Sequence, residues 1–237
     1  MRFDIISANP DILNSPLNYG LISRAKDKGY IEIFVHNLRD YATGNYKQID
    51  DEPYGGGAGM ILKAEPFFKV INILKQQRDY DEIIHFTAQG ELLNQRMANQ
   101  FSLKNNFLLL CGHYKGIDER VIEKFVTKEI SIGEYVLSCG DLPALIFIDS
   151  ISRLIPGVLH DSESAITDTF QTEEIFDCAY YTRPEIIDNM KVPEVLLSGN
   201  HSEIEKWRKD SSRKKLERYL ELNKKKFLIS QYKKNKE

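Results

Sequence analysis

Cysteine is scarce in this 237-residue chain: Cys111, Cys139 and Cys178 are an odd number, and no two have CxxC spacing. A disulfide framework is therefore not expected, and a reducing compartment fits better. None of the five histidines stands at metal-ligand spacing from another His or from Cys, so no metal site is read from the sequence. No apolar run approaches the length of a membrane span, and the amino terminus lacks the basic-then-apolar layout of a secretion signal. The expected location is cytoplasmic.

The two familiar phosphate loops are missing as well. Gly55 to Gly59 holds four glycines in five positions, but no Lys-Ser/Thr follows, and Met60 stands where a dinucleotide fingerprint needs its last glycine. A nucleotide hydrolase is accordingly the weakest reading. No serine or cysteine carries a nucleophile motif.

What is present is an ordinary globular composition, 42% hydrophobic and 28% charged, in a chain long enough for one large domain or two small ones. The net charge of −3 hides an asymmetry. Residues 206–237 carry 13 Lys/Arg against 4 Asp/Glu, while the rest carries 19 against 31. A basic element for a polyanion and a solvated helical face explain that tail equally well.

Short β-prone runs (Phe3 to Ser7, Ile31 to Val35, Ile83 to Phe86, Phe107 to Cys111, Glu129 to Ile132) alternate with helical segments (Leu17 to Lys28, Glu65 to Gln77, Asn94 to Phe101). That alternation predicts an α/β fold with a mainly parallel sheet covered on both faces. Three strands leave through glycine-bearing loops: Thr87 to Gly90, Gly112 to Gly116, and Gly133 to Gly140. In open parallel sheets such exits form the ligand crevice, and glycine lets backbone groups approach the ligand. Asp118 suits the cap of a helix bearing Val121, Ile122 and Phe125, and Leu142 to Ile155 reads as a buried helix ended by Pro156-Gly157. Asp149 and Arg153, four apart on it, are at ion-pair spacing. Leu159 to Asp177 is polar and reads as a linker. Arg183 to Met190 and Ser202 to Trp207 read as helical, with Ser202 and Glu205 at capping-box spacing.

Four motifs carry a resemblance: CGHYKGIDERV (Cys111 to Val121), SIGEYVLSCGDLPALIFIDSISRLIPGVL (Ser131 to Leu159), DDEPYGGGAGM (Asp50 to Met60), and YTRPE followed by VPEVLLSGNH (Tyr181 to His201). In order and spacing, over about residues 1–208, they resemble the bacterial tRNA (guanine-N1)-methyltransferase (TrmD) family of the knotted SPOUT superfamily. The resemblance implies a trefoil knot in which the three glycine loops meet. It also implies three regions: a cofactor-binding domain over 1–160, a linker over 161–176, and a small helical tRNA-binding domain over 177–237.

The implied reaction moves a methyl group from S-adenosylmethionine to N1 of the guanine at position 37 of tRNA, 3′ of the anticodon. N1 of neutral guanine carries a proton, and losing it pushes charge toward O6. A base should face N1 and a permanent cation O6. By match to the family these are Asp168 and Arg153; a guanidinium stays charged at any working pH. The implied cofactor contacts are Phe86, Gly112, Tyr114, Gly116, Ile132, Gly133, Glu134, Tyr135, Val136, Leu137, Gly140 and Pro143. A homodimer sharing each active site between subunits and an assisting magnesium ion are implied by the resemblance alone, as is a substrate-side role for the loop Asp50 to Met60.

Three substitutions depart from the family pattern: Lys115 replaces a usual glutamate, His113 a usual arginine and Cys139 a usual glycine. In addition, the tail SSRKKLERYLELNKKKF lacks the family's arginine-pair-then-proline motif. A SPOUT methyltransferase acting on another RNA site and a non-catalytic tRNA-binding protein remain open as alternatives.

Overall fold

Alternating strands and helices put a fully parallel five-stranded sheet at the centre of the amino-terminal part of the chain. The structure, a computed structural model, describes residues 1–159, 168–171 and 176–234, with side chains described to residue 223. Its strands are β1 (Arg2–Ser7), β2 (Glu32–Asn37), β5 (Glu82–Leu92), β6 (Asn106–Leu110) and β7 (Lys128–Ser131), in spatial order β2-β1-β6-β5-β7. A separate two-stranded antiparallel pair, β3 (Asp50–Asp51) and β4 (Ile61–Leu62), brackets the glycine-rich stretch between them. The chain divides into two units, Met1–Ser162 and Glu163–Glu237.

Every described pairing of the central sheet is parallel, so helices must carry the chain back on both faces. β6 shows the result directly. Its alternate residues serve two cores: Phe107 and Leu109 join one cluster, Leu108 and Leu110 the other, and all four are fully buried. The first cluster lies under α1 (Asp11–Leu17), α2 (Gly20–Asp27), α4 (Gln95–Phe101) and α6 (Asp141–Ser152). At its centre, Phe107 meets Phe3, Phe101 and Phe147 at centroid distances of 5.3–5.9 Å. The second cluster lies under α3 (Ala64–Gln77) and α5 (Glu119–Phe125).

The structure refines several sequence readings. The expected helix over Leu17 to Lys28 is present as α2 but starts only at Gly20, because Leu17 closes the preceding helix α1 and Asn18 and Tyr19 separate the two. β5 does not end at Phe86. Its register against β7 shifts between Phe86 and Glu91, so Thr87 to Gly90 bulge out of a strand that continues to Leu92. Asp118 does cap α5, its side chain accepting from the Arg120 N–H at 3.0 Å. Gly140 occupies the cap position of α6, with Asp141 in the first turn.

In the second unit the expected helix over Arg183 to Met190 is absent. Pro184 interrupts the segment, and Asp188 and Asn189 take φ +50° and +64°, the geometry of a two-residue hairpin turn; Ile186–Ile187 pairs antiparallel with Met190–Lys191. The long helix His201–Lys234 is capped by Asn200, whose side chain accepts from the Glu203 N–H, rather than by Ser202. Residues 176–179 are tied to that helix: the Ala179 N–H donates to Ser211, the Ser212 hydroxyl to the Phe176 carbonyl and Lys215 to the Cys178 carbonyl. Most of the expected linker 161–176 lies outside the described residues.

One buried ionic cluster ties the start of the sheet together. Asp4 is fully buried on β1 and accepts from Arg2 at 2.8 and 3.0 Å and from Tyr80 at 2.9 Å, and it pairs with His36 at 2.8 Å. Burial alone would raise the carboxyl pKa, but the hydrogen bonds from His36, Arg2 and Tyr80 outweigh it and hold the value at about 2, against an ordinary 3.8. A depressed carboxyl contributes stability that is complete above its unfolded value and lost as pH falls through the folded one. Asp4 should therefore contribute about 2 kcal/mol above pH 4, fading toward pH 2. Urea unfolding of wild type and Asp4→Asn across pH 6 to 2 checks this, and the gap between them should narrow as the solution is acidified.

Candidate functional site

The three strand exits named from the sequence meet. The β5 bulge (Thr87 to Gln89), the β6 exit (Gly112 to Ile117) and the β7 exit (Ile132 to Gly140) wall a cavity of about 320 Å³ at the carboxyl ends of the strands. Its size and place fit a small-molecule site of an open parallel sheet.

Close backbone approach builds it. The Gly140 N–H donates to the Gly112 carbonyl at 2.8 Å, and His113 and Cys139 form an antiparallel bridge, so the β7 exit is laid across the β6 exit. A Cβ on Gly140 would stand 2.9 Å from both the Cys111 Cα and the Gly112 nitrogen, which no side chain tolerates. At Gly90 a Cβ would fall 2.6 Å from the Glu129 carbonyl carbon and the Ile130 nitrogen. These glycines are steric necessities at chain crossings.

Beneath the crossing lies a buried polar anchor. Asp141, in the first turn of α6 where a negative charge suits the helix dipole, accepts from the Ser7 hydroxyl at 2.5 Å. Ser7 in turn accepts the Asn9 N–H at 3.0 Å. The Cys111 thiol also bonds Asp141; its complete burial and then the Asp141 charge push its pKa well up, so it is held as an inert thiol. The ends of β1 and β6 are thus fixed to the start of α6.

Of the twelve cofactor positions expected from the sequence, eleven line this cavity: Phe86, Gly112, Tyr114, Gly116, Ile132, Gly133, Tyr135, Val136, Leu137, Gly140 and Pro143. Glu134 does not line it, although both its neighbours do. The wall includes polar groups that the sequence reading passed over. His85 and Glu129 lie in register on adjacent strands, with Nδ1 and Oε1 3.1 Å apart. Burial lowers the His85 pKa against the opposing pull of Glu129, which favours a neutral ring. Glu119 adds a second carboxylate. The available signal was His85 alone, an ionisable residue inside the apolar run Ile83 to Phe86; Glu129 sits in a short strand of mixed character.

The departures gather here too. His113 and Cys139 are bridge partners in the wall, and His113 Nδ1 is buried with no hydrogen-bond partner among the described residues. Lys115 also lines the cavity, with its stem against Gly59 of the glycine-rich loop. Among the described residues no group of three or more His, Cys, Asp or Glu is arranged to hold a metal ion.

Arg153 lies in the first unit away from the cavity, and Asp168 belongs to the second unit. Arg153 follows the last turn of α6, whose 12 residues begin at the cavity. It sits about 18 Å along the axis from Asp141 and does not line the cavity of its own chain. Asp168 lies in the second unit at the start of a turn, its carbonyl accepting from the Gln171 N–H at 3.3 Å.

Comparison with known proteins adds independent findings. The model of a family described as tRNA (Guanine-1)-methyltransferase TrmD matches residues 1–225. A tRNA (guanine-N(1)-)-methyltransferase of Chlorobium chlorochromatii is 56% identical over 90% of this chain and 91% of its own. Proteins of the same name from Chlorobaculum tepidum and Bacteroides fragilis are 53% and 49% identical, over 94% and 87% of this chain and 96% and 92% of theirs.

Proposed function

The chain belongs to the tRNA (guanine-1)-methyltransferase family, and on that premise we propose that it methylates N1 of the guanine 3′ of a tRNA anticodon, with S-adenosylmethionine as donor. The observation that carries the reading is the cavity at the strand ends, walled by eleven positions expected to touch that donor.

The wall suits such a ligand. Ile132 and Leu137 offer apolar faces to an adenine, and the close-packed glycine crossings expose backbone groups to its edge. His113 Nδ1 supplies a buried polar atom awaiting a partner. Glu119 and Glu129 set carboxylates in the wall of a site for a sulfonium cation. When bound, the donor supplies an electrophilic methyl group. The protein's share of the reaction is then to orient the guanine, accept its N1 proton at the Asp168 carboxylate and hold the charge developing on O6 with the Arg153 guanidinium.

Because Arg153 stands a helix length from its own cavity, the reading needs a second copy of the chain. α6 is apolar nearly all round, yet Leu142 and Ile146, one turn apart, are 43% and 47% exposed. Ile12 on α1, which packs against α6, is 40% exposed. Antiparallel packing of two α6 helices through that face would cover it and bring the Arg153 end of one chain to the cavity end of the other. We infer a homodimer whose active sites are shared, and a chain that threads the crossing of the β6 and β7 exits as a trefoil knot.

The basic helix His201–Lys234 is the proposed tRNA contact of the second unit. Lys206, Lys209, Arg213 and Lys214 pair with acids one turn away, so its first half is partly neutralised. Phosphate binding should then fall mainly to the basic residues beyond it. The magnesium ion suggested by the resemblance has no ligand group among the described residues, and no step here runs through one.

The reading is tested by incubating the protein with methyl-labelled S-adenosylmethionine and tRNA transcripts that carry guanine or adenine after the anticodon, then mapping the label by nuclease digestion and mass spectrometry. Label at N1 of that guanine, and none in the adenine transcript, is the expected outcome. Label at another nucleotide would favour a different RNA target. No label at all would favour a binding protein.

A further inference from the structure

One aromatic side chain of the first unit is presented to solvent with nothing of its own chain to pack on. Tyr54 is fully exposed, at 102% of a free residue's surface. It occupies the second position of a turn closed by the Gly56 N–H on the Pro53 carbonyl at 3.2 Å, and Gly55, at φ +84°, fills the position that requires a left-handed residue. Gly55, Gly56 and Gly57 all have positive φ, and a Cβ on any of them would meet nothing within 4 Å. The chain's own packing does not demand their bareness. It leaves a stretch of open backbone beside an unburied ring.

This loop is fixed to the lip of the cavity. The Lys115 N–H donates to the Met60 carbonyl at 3.1 Å, and the Leu62 and Asp118 N–H groups bond the Gly116 and Leu62 carbonyls at 3.0 Å each. Arg120 lies within electrostatic reach of the Tyr54 hydroxyl. Its guanidinium is held flat by a two-pronged bond to Asp118, at 2.8 and 2.7 Å, yet stays 68% exposed. Its charge is largely answered by Asp118, so what it offers is a plane more than a phosphate contact.

An aromatic ring, a guanidinium plane and bare backbone, all outside the cavity but beside its mouth, make a surface for a splayed, unpaired base. We infer that Tyr54, with Arg120, stacks on an unpaired base flanking the target guanine and so positions the RNA. This rests on the proposed methylation of tRNA and adds a positioning residue to it.

The test uses tRNA with 2-aminopurine beside the target guanine, whose fluorescence falls when it stacks on tyrosine. Wild type and Tyr54→Phe should quench it equally. Tyr54→Ala should lose the quenching and raise KM for tRNA about tenfold, with kcat and the donor Kd unchanged. Arg120→Lys, which keeps the charge but loses the plane, should lose part of the quenching. Tyr54 fills no core, so the donor titration and the sedimentation coefficient should match wild type. If Tyr54→Ala leaves KM and quenching unaltered, or instead dissociates the protein into smaller species, the inference is overturned while the methylation reading stands. If wild type neither binds nor methylates tRNA, both fall together.

Discussion

Replacing Arg153 by alanine, or Asp168 by asparagine, should lower methyl transfer by about a thousandfold or more while the affinity for S-adenosylmethionine stays near wild type. Arg153 does not line the cavity of its own unit, so its truncation removes no group from that wall. Each would remove a group that acts only while the guanine proton departs. Calorimetric titration with the donor and single-turnover transfer to tRNA separate the two effects. Loss of donor binding in either variant would place the residue in the cavity wall instead, and retained turnover would deny the catalytic roles.

The second large effect belongs to Gly140. Its Cβ position is blocked by backbone atoms of Cys111 and Gly112, which cannot rotate away as a flexible side chain can. Gly140→Val must therefore prise the β7 exit off the β6 exit and open the cavity. Donor affinity should fall by about a hundredfold or more, roughly 3 kcal/mol. The Ser7–Asp141–Cys111 anchor lies below the crossing, so far-ultraviolet circular dichroism should stay native-like.

These two variants together test sharing of the site. Neither homodimer should be active. A mixed dimer of Arg153→Ala and Gly140→Val chains would join the intact cavity of the first to the intact guanidinium of the second, and it should recover one working site. If Arg153 served the cavity of its own chain, no combination of the two would recover activity. A mixed dimer of Arg153→Ala and Asp168→Asn should stay inactive if both residues reach the cavity from one partner, and it should recover a site if they come from opposite chains.

Much of the sheet was legible because buried parallel strands leave a plain mark: Phe107 to Leu110 is apolar without a break, since both faces are covered. The loops that wall the cavity were legible through glycine, which is needed where backbone crosses backbone at Gly90 and Gly140. The hairpin at Ile186 to Lys191 was not, because helical periodicity over so few residues cannot compete with turn geometry at Asp188 and Asn189. His85 and Glu129 escaped notice for another reason. They are ordinary residues in their own strands, and only the register of β5 on β7 makes them a pair. The distance from Arg153 to the cavity was likewise invisible until α6 was seen to start at the site and run away from it.

If the meeting point of the three strand exits holds the methyl donor, a crystal structure with S-adenosylhomocysteine should show adenine between Ile132 and Leu137, under the Gly112 to Gly116 and Gly133 to Gly140 segments, with a guanidinium from the other chain nearby. Density for the nucleoside anywhere else on the protein, or a saturated crystal with none in this cavity, would contradict it.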